Sequence, residues 1–355
     1  MAIAAATLCQ ALRIPYVVPD KNNKKVMQTG SYYSPDEICL PFKLMLGNFI
    51  QSIEKGADTV LITGSCGPCR FGEYCELQMK ILQKMGYKDI EFIVVDLSHE
   101  IGFGEFRRRV GRIAQASAVA PAHKLKALRT AFKVINLCDK IDAKAYDLAG
   151  YEARGGDCRQ ILHDYKDKAL LCQTPEQTIN LLRLTLKKLE SIETDPTKNP
   201  LKIAIIGEIF TVIDPFSNLY IEEKLMDYGA STKRMLTPSW WVKNMALKPL
   251  KLYARGVYRA ADPYLSFPIG GHGKECVGEA LLAQAHGMDG AIQILPLGCM
   301  PEVVAKAIIP TIAKDKDFPV MTLIVDETSG EAGYSTRIEA FLDMLIARRR
   351  RGISA

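Results

Sequence analysis

Two stretches of the chain repeat one layout, and that layout fixes the fold class. The first reads Glu37-Ile38-Cys39, a helical stretch, Gly56-Ala57-Asp58, an apolar run over 59–63, then Gly64-Ser65-Cys66. The second reads Glu275-Cys276, a helical stretch, Gly287-Met288-Asp289, an apolar run over 291–297, then Gly298-Cys299. Each predicts one cysteine ahead of a helix and another just past the next strand. Short apolar runs alternating with helices imply parallel sheets joined by right-handed crossovers, so the chain reads as α/β.

Residues 1–36 carry Pro15, Pro19, Asn22-Asn23 and Ser34-Pro35 and read as irregular. A helix starting near Ser34 is expected to carry Cys39 and run toward Lys55. Residues 60–62 and 92–95 read as strands around a helix over 73–85, closed by Gly86. Residues 107–194 read as a helical insertion, with helices over 114–128, 140–151 and 175–192. The polar, proline-bounded stretch 193–200 is the expected linker between an N-terminal domain, 1–195, and a C-terminal domain, 201–355. The latter offers strands at 203–206, 292–295 and 320–325, with helices near 218–228, 302–309 and 336–349. Pro310 is the expected stop of the middle one.

Charge narrows the functions. The formal net charge of +6 comes largely from Arg107-Arg108-Arg109 and the arginines at 348–351, the latter suited to a helix C-terminus. No basic face with interleaved aromatics marks a nucleic-acid partner. No apolar run approaches the ~20 residues of a membrane-spanning helix, and residues 1–11 lack the basic start of a leader. The expectation is a cytoplasmic protein with neither nucleic acid nor membrane as partner. In such a reducing compartment cysteines serve as metal ligands or catalytic groups rather than in disulfides.

Ligands of open α/β sheets bind beyond the carboxyl ends of the strands, where Cys66 and Cys299 fall. Cys69 and Cys75 extend the first set as C-x-x-C-x-x-x-x-x-C. Soft thiolates suit iron, and Gly64, Gly67, Gly72 and Gly298 allow backbone N–H groups close to sulfur. Three readings stay open from these residues. One is an iron–sulfur site shared by both halves. Another is zinc, although a second C-x-x-C is wanting. The third is a redox dithiol at Cys66-Gly67-Pro68-Cys69, which looks like a thioredoxin active site but leaves Cys39, Cys75, Cys276 and Cys299 unexplained. Cys9, Cys138, Cys158 and Cys172 read as structural. His272, in the loop Gly270-Gly271-His272-Gly273, is a candidate proton donor or a hydrogen-bonded loop residue. Glu208 divides between acid–base work and helix capping. Residues 270–275 are not a phosphate-binding loop, because Pro268 and Glu275 break the pattern, and residues 102–107 lack the third glycine of a dinucleotide fingerprint.

Several segments carry a resemblance across most of the chain: residues 33–43, Gly64-Ser65-Cys66-Gly67-Pro68-Cys69, Gly270-Gly271-His272-Gly273, Pro296-Leu297-Gly298-Cys299-Met300-Pro301-Glu302, and Asp326-Glu327-Thr328-Ser329-Gly330 followed by residues 336–341. Together they resemble the 2-hydroxyacyl-CoA dehydratase component D and benzoyl-CoA reductase superfamily, including its double-cubane cluster proteins. The nearest likeness is to the branch labelled CoA protein activase, without the ATPase half. The resemblance implies two Rossmann-like domains with a cluster in the cleft between them, a homodimer, and a separate ATP-hydrolysing iron–sulfur activator dimer that delivers low-potential electrons. Ordinary dehydratase subunits use about three cysteines for one 4Fe-4S cluster. Six candidates here, Cys39, Cys66, Cys69, Cys75, Cys276 and Cys299, match the count for a double-cubane 8Fe-9S cluster. The expected function is then an ATP-coupled iron–sulfur reductase of small molecules. The alternatives are a 2-hydroxyacyl-CoA dehydratase or acyl-CoA reductase subunit, and a non-enzymatic cluster or zinc scaffold or electron carrier.

Overall fold

The computed structural model describes residues 1–63, 69–95, 103–247 and 254–352. Helices α1 (Ala2–Leu12) and α2 (Lys24–Tyr33) occupy the stretch expected to be irregular. Asn23 explains the second, because its side chain accepts from Val26 N at 3.0 Å and so caps the first turn. Burial explains the first, with Ala4 in a core that includes Val134, Ile141 and Tyr146. Helix α3 (Leu40–Glu54) begins immediately after Cys39, with Pro41 in its opening turn. It lies backbone to backbone on α2: a Cβ at Gly47 would stand 2.1 Å from Val26 O, and one at Gly30 would stand 1.7 Å from Lys43 O.

Strands β1 (Thr59–Thr63) and β2 (Glu91–Val95) pair in parallel around the short 3-10 turn Arg70–Glu73 and helix α4 (Tyr74–Lys84). This is the expected β-α-β unit. A helical block follows: α5 (Phe103–Gln115), α6 (Pro121–Leu148), α7 (Asp157–Leu171) and α8 (Pro175–Glu190). The break expected inside α6 is absent, since Ala127, Ala131, Val134, Ile141 and Ala145 continue one buried stripe at helical spacing. Helix α7 escaped the reading. Its start is built by the Glu152 carboxylate, which accepts from Gly156 N and Cys158 N.

The chain then forms β3 (Lys202–Gly207), α9 (Ile209–Ile213), α10 (Ile221–Asp227), β4 (Ser231–Arg234), α11 (Pro238–Leu247), α12 (Arg255–Ala261), α13 (Gly273–Ala285), β5 (Gly290–Pro296), α14 (Met300–Asp315), β6 (Val320–Val325) and α15 (Glu331–Arg350). The second sheet is parallel throughout, in the order β4-β3-β5-β6. Its faces carry separate cores, Ile203, Ile205 and Ile292 with Ile338 and Leu342, and Ala204, Ile206 and Ala291 with Val277 and Ile309. Strand β5 is buried at every residue. Strand β4 escaped the reading because Ser231-Thr232-Lys233-Arg234 has no apolar run. It is held instead by the Glu222 carboxylate, which pairs with the buried Arg234. Helix α14 runs through Pro310 rather than stopping there. Burial of Ile309 and Ile312, about 1.5–3 kcal/mol each, offsets the ~3 kcal/mol that an interior proline costs.

Candidate functional site

The order β4-β3-β5-β6 reverses at β3, which pairs with β4 on one side and β5 on the other. Loops leaving the carboxyl ends of β3 and β5 therefore diverge, and such a point is where α/β sheets bind ligands. Glu208 follows β3 and Gly298-Cys299 follows β5.

Cys299 caps α14, Cys39 caps α3, Cys69 precedes the turn Arg70–Glu73, and His272 caps α13. Neither Cys39 nor His272 contributes a side-chain capping bond to the helix it opens. The Glu208 carboxylate acts electrostatically on Cys39, Cys69 and Cys299, and Cys69 acts on both other thiols. Three segments remote in sequence thus bring their thiols into one setting. The glycine loop borders it as well: a Cβ at Gly271 would lie 3.8 Å from Cys69 Cβ and 2.8 Å from Pro301 Cγ.

Burial raises all three thiols above the ordinary range, most strongly Cys299, and the Glu208 charge pushes the same way. Left to themselves they stay protonated. A metal that replaces those protons changes the balance, since coordinated thiols ionise outright. The donor set is soft, nearly dry and placed at helix N-termini, and so fits an anionic iron–sulfur group better than a hard cation. Among the described residues, no three His, Cys, Asp or Glu side chains close on a single metal ion.

The remaining candidates separate. Cys66, with Gly64, Ser65, Gly67 and Pro68, lies outside the described residues. Cys75 sits in the first turn of α4, half-buried, where Arg109 and Glu76 act on it. Cys276 breaks the expected symmetry with Cys39. Helix α13 already begins at Gly273, so Cys276 lies inside the helix, fully buried, with Glu302 and Glu279 bearing on its thiol. Glu208 does cap a helix: its two carboxylate oxygens accept from Phe210 N and Thr211 N, each at 2.9 Å. Burial pushes its pKa up while those bonds pull it down. His272 is pushed down to about 4 by desolvation, so its imidazole is neutral and offers an N–H rather than a charge.

Four residues that the sequence reading missed complete the site. Tyr74 is buried, and its hydroxyl hydrogen-bonds Cys39 Sγ; it stands edge-on to Phe42 at 4.9 Å. Arg70 donates to Gly298 O at 2.7 Å and to Glu37 O at 3.2 Å. Lys43, four residues past Cys39 on α3, reaches Asp36 O at 3.0 Å and the Glu327 carboxylate. Glu302, pushed up to about 7 by burial, accepts from Gln293 Nε2 at 3.0 Å. Their shared signal was position, each lying within four residues of a candidate cysteine.

In this parallel α/β fold Cys39 and Cys299 stand at helix starts and Cys69 at the start of a 3-10 turn, with Cys299 just past the carboxyl end of β5. The family model described as 2-hydroxyglutaryl-CoA dehydratase, D-component, matches residues 3–345, and the chain belongs to that family. The match runs from α1 to α15 and so takes in both sheets. No curated protein matches the chain. Among the described residues no helix is long and apolar enough to cross a membrane.

Proposed function

We propose that this chain is the cluster-bearing component of its enzyme, with Cys39, Cys69 and Cys299 holding an iron–sulfur group that receives low-potential electrons from a separate ATP-hydrolysing activator. The observation that carries this reading is the meeting of the three segments that bear those thiols, where Arg70, next to Cys69, donates to Gly298 O at 2.7 Å and to Glu37 O at 3.2 Å. A cluster takes one thiolate per iron, so its ligands need not meet at one point. Bound there, such a group supplies one-electron chemistry at low potential, as removal of water from a 2-hydroxyacyl-CoA thioester or reduction of a small molecule requires.

The chain's own residues prepare for that role. The first turns of α3 and α13 carry no side-chain cap and can offer N–H groups to negative charge. The Tyr74 hydroxyl can donate to Cys39 Sγ once that sulfur is ionised. Glu302, near 7, can hold a proton on its carboxyl at neutral pH beside Cys299. The described cysteines are all free thiols, which suits a reducing, cytoplasmic setting.

Three gathered thiols favour one 4Fe-4S cluster and the dehydratase reading. Cys66, Cys75 and Cys276, within the same sequence segments, support a second reading, a double-cubane 8Fe-9S reductase, in which Cys276 would have to leave Glu302. Iron, sulfide and zinc per chain on anaerobically purified protein test both. About four irons support the first and about eight the second. Zinc without sulfide removes the redox cluster altogether. Light scattering on the same sample tests the homodimer.

A further inference from the structure

Arg70 follows Cys69 and opens the turn Arg70–Glu73. Its guanidinium leaves that turn for two other segments. Nη2 donates to Gly298 O, 228 positions away, and Nη1 donates to Glu37 O, 33 positions away. Gly298 immediately precedes Cys299, and Glu37 stands two residues before Cys39. One planar group therefore ties together the three segments that bear the gathered thiols.

The local chemistry suits arginine alone. Its five N–H groups sit in a rigid fork that serves two carbonyls at once, whereas a lysine ammonium is a compact charge on a flexible stem. The receiving loop is shaped for it too. Gly298 adopts φ 73°, and a Cβ there would stand 2.9 Å from Arg70 Nη2. A side chain at 298 would be strained and would displace the guanidinium. The exposed position of Arg70 makes it a poor source of stability by itself, because surface charges contribute little. Its geometric reach is what sets it apart.

We propose that Arg70 is a positioning residue that fixes the spacing of Cys39, Cys69 and Cys299 before any cluster is bound. The proposal rests on reading those thiols as one site, and its test separates the two ideas. Arg70→Met keeps the aliphatic stem and removes both donors and charge; Arg70→Lys keeps the charge and loses the fork. The chain, stripped of metal, is treated with dibromobimane, which bridges neighbouring thiols, and the bridged peptides are mapped by mass spectrometry. In parallel, iron content and midpoint potential are measured on the anaerobically purified chain, with urea midpoints as a control for stability.

Arg70→Met should lower the yield of bridges among Cys39, Cys69 and Cys299 several-fold, lower iron retention, and shift the remaining potential downward. Arg70→Lys should restore the potential and only partly restore the bridges. A variant that merely weakens the fold would move the urea midpoint and leave the potential alone. Wild-type bridging and potential in Arg70→Met, or no bridges in the wild-type chain, overturn the proposal. If the wild-type chain holds no iron yet Arg70→Met still loses bridges, the positioning role stands and the cluster reading falls.

Discussion

Lys43 Nζ donates to the Glu327 carboxylate and so joins α3 to the loop that follows β6. The two ends differ: the lysine side chain is 2% exposed and the glutamate 31%. Removing the glutamate leaves a buried ammonium whose remaining acceptor among the described residues is Asp36 O. Removing the lysine frees a carboxylate that water reaches. Glu327→Ala should therefore cost about 2–3 kcal/mol and Lys43→Met distinctly less. Urea unfolding of both variants checks the order, and the reverse order would show that the pair is held by something other than burial of Lys43.

Tyr74→Phe keeps the ring against Phe42 and Phe71 and deletes the hydroxyl at Cys39 Sγ. A sulfur ligand that loses a hydrogen-bond donor makes its cluster harder to reduce. The variant should keep its iron and lose about 1 kcal/mol of stability, with a midpoint potential below the wild-type value. An unchanged potential in a redox titration would place Cys39 outside the ligand set.

His272 carries a pH signature. Its folded pKa, about 4, lies below the ordinary value of 6.5, so the unfolded chain binds the proton more readily in between. The stability it contributes is complete above about pH 6.5 and is lost as the pH falls toward 4. Because part of the residue remains accessible, the loss should stay near 1–2 kcal/mol. His272→Asn should flatten urea midpoints of the cluster-free chain between pH 6.5 and 4; an undiminished slope would assign the effect to other groups.

Cys276 and Cys299 should behave differently when replaced. Cys299→Ala removes a gathered thiol and should abolish most bound iron. Cys276→Ser alters a buried neighbour of Glu302 and should leave iron unchanged if one cluster is present. Loss of about half the iron in Cys276→Ser would favour two cubanes. Metal analysis beside a urea midpoint separates ligand loss from unfolding.

The strands were legible where apolar runs end in glycine, as at β1 and β5, and so was the placement of Cys299 past a strand. Strand β4 was not, because its stability comes from an ion pair between Glu222 and Arg234 rather than from apolar residues. Nor was the inward turn of Cys276, since nothing in Gly270-Gly271-His272-Gly273 announces that the helix starts within the glycine run. Arg70 and Tyr74 stand beside cysteines, but their partners come from other segments, and a linear reading does not supply those.

Strand β5 has a neighbour on each side and no exposed residue, while β1 has one described neighbour and leaves Leu61 56% exposed. Local opening is governed by such differences. Amide exchange should therefore reach β1 long before β5, and the two ends of the site keep different clocks. A bound group that escapes will let go first on the side of Cys69 and last on the side of Cys299, so damage to this protein has a direction.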